Sequence, residues 1–141
     1  MFDAMSLYRV SRKLYLKKMF FLAKMIMKYN NKRHNSYIPY TADIGEGSKF
    51  AYGGIGVVLH SKCKIGKNCI IGQCVTIGGR TNHGGPPHIG DNVYIGPGAR
   101  LLGGFYVGND SIIGANAVVI KDVPKNAVVA GVPSKIIKYR K

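Results

Sequence analysis

The residues best suited by type to move a proton near neutral pH are four histidines, His34, His60, His83 and His88. A neutral imidazole takes a proton from a hydroxyl and returns it to a leaving group. His83 lies in a glycine-rich stretch, Gly78–Gly85 (GGRTNHGG), expected to loop out and touch a ligand. His88 follows Pro86-Pro87 and precedes an apolar position, which suits a structural role. His34 falls in the polar stretch 30–36 (NNKRHNS), where solvation is expected. Cys63, Cys69 and Cys74 are odd in number and contain no Cys-x-x-Cys. They read as reduced core or near-core thiols of a cytosolic protein, not as a disulfide framework.

The element that must position these groups is a repeat. Stepping by six from Leu59 gives Ile65, Ile71, Ile77, His83, Ile89, Ile95, Leu101, Val107, Ile113 and Val119, so only His83 breaks an aliphatic column. The residue after each is Gly at positions 66, 72, 78, 84, 90, 96, 108 and 114. One aliphatic side chain per six residues points inward, and the glycine beside it lets the backbone turn or pack closely. Three such units make a triangular coil of eighteen residues, and coils stack at a spacing of about 4.8 Å. Ile44 and Phe50 begin an earlier coil, with the register broken near Gly53–Gly56. In the glycine column His60 is the one ionisable residue. Eighteen-residue steps from it reach Gly78, Gly96 and Gly114, so these four are expected to stack along one edge.

The ends differ in character. Residues 1–36 form a basic helical segment and linker, with Leu7, Val10, Leu14, Met19, Leu22 and Ile26 near helical spacing. Residues 37–123 form the coil domain and 124–141 a basic C-terminal tail. The formal net charge is +15. No nucleic-acid motif accompanies it, and the aromatics do not interleave with the charges as a stacking platform would, so nucleic acid is not an expected partner. Arg9, Arg12, Lys13, Lys17, Lys18, Lys24 and Lys28, together with Phe20 and Phe21, suit either packing on the coil or a partner subunit, or peripheral contact with an anionic membrane. The apolar runs are too short to span a bilayer, which points to the cytoplasm, at the inner membrane face if that contact is made.

Three stretches, Gln73-Cys74-Val75-Thr76-Ile77-Gly78-Gly79, Ile89-Gly90-Asp91-Asn92-Val93-Tyr94-Ile95-Gly96 and Ile113-Gly114-Ala115-Asn116-Ala117-Val118-Val119, precede a closing Ala130-Gly131-Val132-Pro133-Ser134-Lys135. On these residues the sequence from Asp43 to Ile137 resembles the hexapeptide-repeat acyltransferases. It is most similar to their short serine acetyltransferase-like branch of capsule or O-antigen polysaccharide O-acetyltransferase type. The resemblance implies a mainly β fold, a left-handed parallel β-helix with a short N-terminal helical segment. It also implies a homotrimer with acetyl-CoA as acyl donor and pantetheine lying along a coil edge between two subunits.

By the same resemblance, cofactor contacts fall on Gly78, Gly96, Pro97, Gly114 and Ala115, and Lys121 and Lys135 match basic positions near the cofactor's phosphates. Gly78 and Gly79 could supply a backbone N–H to an oxyanion. His60 then stands at one end of the cofactor track and is the expected general base. His83 is its rival, because galactoside-type acetyltransferases place their base in a loop at about this point. No metal is expected.

The acceptor is read from departures. Serine acetyltransferases resemble an Asp-Ile-His-Pro stretch followed by Asp-His-Ala-Thr-Gly, whereas this sequence has Tyr37-Ile38-Pro39-Tyr40 and Ala51-Tyr52-Gly53-Gly54. These departures count against L-serine, and the resemblance to the capsule and O-antigen branch implies a sugar hydroxyl on a cell-surface polysaccharide or its precursor as the acceptor. Serine O-acetylation and N-acetylation of an amino sugar are the alternatives. A γ-type carbonic anhydrase is disfavoured because His60, His83 and His88 lack its ligand spacing, and a non-catalytic scaffold is the remaining rival.

Overall fold

The structure is a computed structural model and describes residues 3–141. Two helices, α1 (Ala4–Leu16) and α2 (Phe20–His34), precede the coils. The first coil carries β1 (Asp43–Ile44), β2 (Lys49–Phe50) and, after a short 3-10 turn at Ala51–Gly54, β3 (Val58–Leu59). The second carries β4 (Lys64–Ile65), β5 (Ile70–Ile71) and β6 (Thr76–Gly78). The third carries β7 (His88–Ile89), β8 (Tyr94–Ile95) and β9 (Arg100–Leu102), and the fourth β10 (Tyr106–Val107), β11 (Ile112–Ile113) and β12 (Val118–Val119). β13 (Ala127–Ala130) stacks parallel beneath β11, and β14 (Lys135–Tyr139) folds back antiparallel on β13. The result is a mainly β parallel solenoid of about four turns, with the three faces β1-β4-β7-β10, β2-β5-β8-β11-β13 and β3-β6-β9-β12.

The repeat folds this way because each unit presents two inward side chains. Leu59, Ile65, Ile71, Ile77, Ile89, Ile95, Leu101, Val107, Ile113 and Val119 are buried, as expected. So are the residues two positions earlier, including Val57, Cys63, Cys69, Val75, Val93, Ala99, Phe105 and Ala117. Burying each aliphatic side chain is worth about 1.5–3 kcal/mol. The αL turn residues between strands are Gly, Asn or Asp at most corners, as at Gly47, Asn68, Asn92 and Asp110, because their backbones tolerate positive φ. Cys74 occupies such a corner at φ 60° and is exposed, so it is not the core thiol expected of it.

The coils are not uniform, and this corrects the edge read from the sequence. Lys49 pairs with Ile70, twenty-one residues on, because the Ala51–Gly54 turn adds three residues to the first coil. Thr76 pairs with Arg100, twenty-four residues on, because a loop leaves the second coil after β6. That loop has the length of one repeat. It preserves the period of six while contributing no strand, which is why His83 fell in the inward column although it is exposed. Below the loop the spacing returns to eighteen, as in Tyr94↔Ile112 and Arg100↔Val118.

Helix α1 closes the N-terminal end. In a parallel solenoid half of the first coil's backbone groups point away from the second coil and need other partners. Here Tyr8 Oη donates to the Ala42 carbonyl and accepts from the Ile44 N–H at 3.2 Å. Arg9 donates to the carbonyls of Ile44 and Gly45, and Arg12 to those of Tyr40 at 3.0 Å and Thr41 at 3.4 Å. Arg12 also reaches Asp43 at 3.6 Å. The inward face of α1 is therefore Ala4, Met5, Tyr8 and Ser11, while Val10, one of the apolar residues at helical spacing, is exposed. Helix α2 packs on α1 through Ala23 and Asn30 and leaves Phe20, Phe21, Leu22, Met25 and Tyr29 exposed. It runs through most of the stretch 30–36 read as a linker and stops at His34, where Asn35 turns left-handed at φ 49°.

Removing the Tyr8 hydroxyl leaves a buried carbonyl and a buried N–H unpaired at once. Tyr8→Phe should lower the unfolding free energy by about 1–3 kcal/mol in urea titration, and unchanged stability would show that the helix cap does not depend on this phenol.

Candidate active site

The prism has three edges, and the candidate residues are divided among them. His60 follows β3, its N–H donates to the Ile77 carbonyl at 2.9 Å, and it stands level with Gly78. Gly78 in turn pairs with Leu102, not Gly96. The column His60, Gly78, Leu102, Ile120 therefore replaces the expected His60, Gly78, Gly96, Gly114. Gly96 and Gly114 sit one edge away, after β8 and β11, beneath Gly72 and above Ala130. A Cβ on Gly72 would lie 2.6 Å from the Pro97 nitrogen, and one on Gly96 would lie 2.6 Å from the Ala115 nitrogen. No side chain fits there, so the coils stack in backbone contact along this glycine track, which carries Gly96, Pro97, Gly114 and Ala115, as they also do along the edge of Gly45, Gly66, Gly90 and Gly108. Ile55 continues the Gly72–Gly96–Gly114 track upward, its carbonyl accepting from the Cys74 N–H at 2.9 Å.

The His60 ring is partly exposed, and its Nδ1 accepts a hydrogen bond from the Lys62 N–H at 3.0 Å. Its neutral form therefore carries the proton on Nε2 and presents a donor to the surroundings. His83 is exposed in the loop that leaves the same edge. Its N–H donates to the Arg80 carbonyl at 2.9 Å and its carbonyl accepts from Gly104 at 2.7 Å, which pins the loop to the next coil. Gly79 lies at the foot of this loop and is exposed. His88 points outward from β7 with its ring 5.7 Å from that of Tyr106.

His34 is the residue that sequence reasoning misplaced. It ends α2, half-buried, with Nδ1 donating to Asn30 Oδ1 at 2.8 Å and lying 3.2 Å from the Asn30 carbonyl. Together with Arg33, Asn35, Tyr52, Gly53 and Ile55 it lines a cleft of about 210 Å³ at the upper end of the glycine track. The i, i+4 spacing of Asn30 and His34 was the available signal, visible once residues 30–34 are read as helix.

At the opposite end of the prism, Lys121 and Lys135 line one cavity of about 150 Å³ with Asp122, Val123, Val129, Ser134 and Ile136. Two lysines and one aspartate thus share the lining of this cavity. Among the described residues no cluster of three or more His, Cys, Asp or Glu could hold a metal ion. No described helix is long and apolar enough to cross a membrane.

Comparisons with known proteins agree with this architecture. Residues 86–121 match the family model of the bacterial transferase hexapeptide, six repeats. The chain is 36% identical over 132 residues to the serine acetyltransferase of Bacillus pumilus, covering 92% of this chain and 60% of that protein. It is 39% identical over 131 residues to that of Staphylococcus xylosus, again covering 92% and 60%. Among solved structures, serine acetyltransferase from Brucella abortus in complex with coenzyme A superposes with a TM-score of 0.91 at 32% identity, covering 98% of this chain and 56% of that one. The Neisseria gonorrhoeae enzyme gives 0.88 at 33%, covering 96% and 52%. The fold expected from the repeat is thus the fold of these enzymes' solenoids. The chain spans about 60% of the length of the curated relatives it matches.

The three thiols differ sharply in environment. Burial pushes the Cys63 thiol up to about 12, with the Asp43 charge adding to it, and burial likewise raises Cys69. Neither forms thiolate near neutral pH. Titration of the native protein with a thiol reagent should leave Cys63 and Cys69 unmodified until denaturant is added; rapid modification of more than one thiol in the native state would contradict this packing.

Proposed function

We propose that this chain is an acyltransferase that moves an acetyl group from acetyl-CoA to an acceptor hydroxyl. The observation that carries the reading is a solenoid with a cleft holding an imidazole above the Gly72–Gly96–Gly114 edge and the Lys121–Lys135 cavity at the opposite end of the prism. Four coil steps of about 4.8 Å separate the two ends, roughly 19 Å, a distance suited to a thioester arm with phosphates at its far end. The similarity to serine acetyltransferases, one of them solved with coenzyme A bound, supports the donor and favours L-serine over a sugar hydroxyl as acceptor.

In this reading the acceptor oxygen attacks the thioester carbonyl, the C–S bond breaks, and the hydroxyl proton passes through a base to the departing thiolate. A backbone N–H from Gly78 or Gly79 would stabilise the oxyanion. These glycines, with His60 and His83, lie on a different edge from Gly96, Pro97, Gly114 and Ala115. A homotrimer in which one subunit's His60–Gly78 edge faces the next subunit's glycine track would unite them. Residues 37–123 would then carry the chemistry, with the helices and the segment 124–141 closing the two ends.

A second reading keeps the sugar or glycan hydroxyl as acceptor. It is favoured by the lining of the His34 cleft, where no carboxylate stands among the described residues to meet an amino acid's ammonium. Peripheral contact with an anionic membrane accompanies it, supported by the exposed Phe20, Phe21, Leu22, Met25 and Tyr29 of α2 beside Lys24 and Lys28.

The assay that tests these readings follows free thiol release from acetyl-CoA in the presence of L-serine, sugars, sugar nucleotides or amino sugars. L-serine should release thiol well above the hydrolytic background. Release with a sugar and none with L-serine would replace the first acceptor with the second, and release with no acceptor tried would overturn the enzymatic reading.

A further inference from the structure

We infer that His34 is the proton-accepting base of this site, with Asn30 as the residue that positions it. The inference rests on the acetyl-transfer reading above, and it follows from which ring nitrogen is free. The Asn30 side chain is fully buried, and its Nδ2 donates to the Ala4 carbonyl at 3.0 Å. A carbonyl can only accept, so the carboxamide is oriented with Oδ1 toward His34. The nearest partners of His34 Nδ1, Asn30 Oδ1 and the Asn30 carbonyl, are both acceptors, which fixes the proton on Nδ1. Nε2 is then left with its lone pair, as a base requires.

The position of the ring suits the task. A Cβ on Gly53 would lie 3.7 Å from His34 Cδ2, the carbon bonded to Nε2, so the glycine leaves open the space beside that nitrogen. Tyr52 and Ile55 wall the same cleft. The cleft stands above Cys74 and the Gly72–Gly96–Gly114 track, where the acyl end of a donor lying along that edge would arrive. The ring is held at the last turn of α2, and the Asn35 N–H donates to the Asn31 carbonyl, locking the helix end. The charged and titratable groups around it are Arg33 and Tyr52, which line the cleft, and Asp3, which stands outside that lining. The Asp3 carboxyl is held below the usual range, chiefly by the Ser6 N–H and in smaller part by the charge of His34.

None of the other histidines has this arrangement. His60 uses Nδ1 as an acceptor and so offers a proton at Nε2, the ring of His83 has no hydrogen bond among the described residues to orient it, and His88 leans on Tyr106. In the step assigned to His34, the acceptor's O–H proton moves to Nε2 as oxygen bonds to the thioester carbon. The same proton is delivered to the coenzyme A sulfur as the C–S bond breaks.

The test compares the full-length protein with His34→Gln, His34→Ala and, as a surface-histidine control, His88→Ala. Turnover is measured at saturating acetyl-CoA across pH, coenzyme A affinity by calorimetry. His34→Gln should lose about 10²–10⁴-fold in turnover while coenzyme A affinity and melting temperature hold. The acidic limb of the wild-type pH–rate profile should vanish with it, and added imidazole should restore part of the His34→Ala activity. Turnover within about threefold of wild type in His34→Gln would overturn the assignment and leave acetyl transfer standing. So would a loss of turnover with coenzyme A affinity lost alongside and no imidazole rescue, which marks a structural role. A wild-type protein that releases no thiol with any acceptor would overturn both.

Discussion

A parallel solenoid has no natural first coil: the backbone groups that each coil offers upward need a coil above them. In this protein α1 answers that need with side chains. Tyr8, Arg9 and Arg12 reach the carbonyls of Tyr40, Thr41, Ala42, Ile44 and Gly45. Burial holds the Tyr8 phenol protonated by raising it above its ordinary value, so it can donate and accept at once. Everything above the coils is referred to this contact. α2 hangs from α1 through Ser11 Oγ on the Ala23 carbonyl at 2.7 Å and Asn30 on Ala4. His34 ends α2, and so the cap that satisfies the first coil also delivers an imidazole to the upper end of the glycine track.

The two irregular coils matter as much as the regular ones. Three extra residues at Ala51–Gly54 open the first coil where α2 ends, and the positive φ of Tyr52 and Gly53 turns the chain outward beside His34. Six extra residues after β6 place His83 outside the prism and shift His60 and Gly78 onto an edge separate from Gly96 and Gly114. The residues proposed for the site are thereby divided between different edges of one chain. That division is the physical ground for expecting them to meet between copies.

Much of the fold was legible because burial repeats: an aliphatic residue every six positions leaves little choice of architecture. The column below His60 was misread because the inserted loop has the length of one repeat. A period in sequence counts residues, whereas stacking counts strands, and the two diverge where a repeat unit forms no strand. Cys74 looked like its neighbours Cys63 and Cys69, yet it stands at a corner and they stand in the prism. The inward face of α1 was missed because its work is hydrogen bonding by Tyr8, Ser11 and arginines, while the sequence signal sought was apolar. His34 was taken for a solvated residue because Asn30 to His34 reads as a polar run. Its meaning comes from a buried carboxamide that only the packing of α1 against α2 creates.

The central claim concerns two protons, one on Nδ1 of His34 and one on Nε2 of His60. Long-range 1H–15N correlation on protein labelled with 15N only at histidine, above the pH at which the rings protonate, reports the tautomer of each ring directly, with His34→Gln and His60→Gln used to assign the signals. The account predicts the Nδ1–H tautomer for His34 and the Nε2–H tautomer for His60. The Nε2–H tautomer at His34 would leave no lone pair facing the cleft and would contradict it.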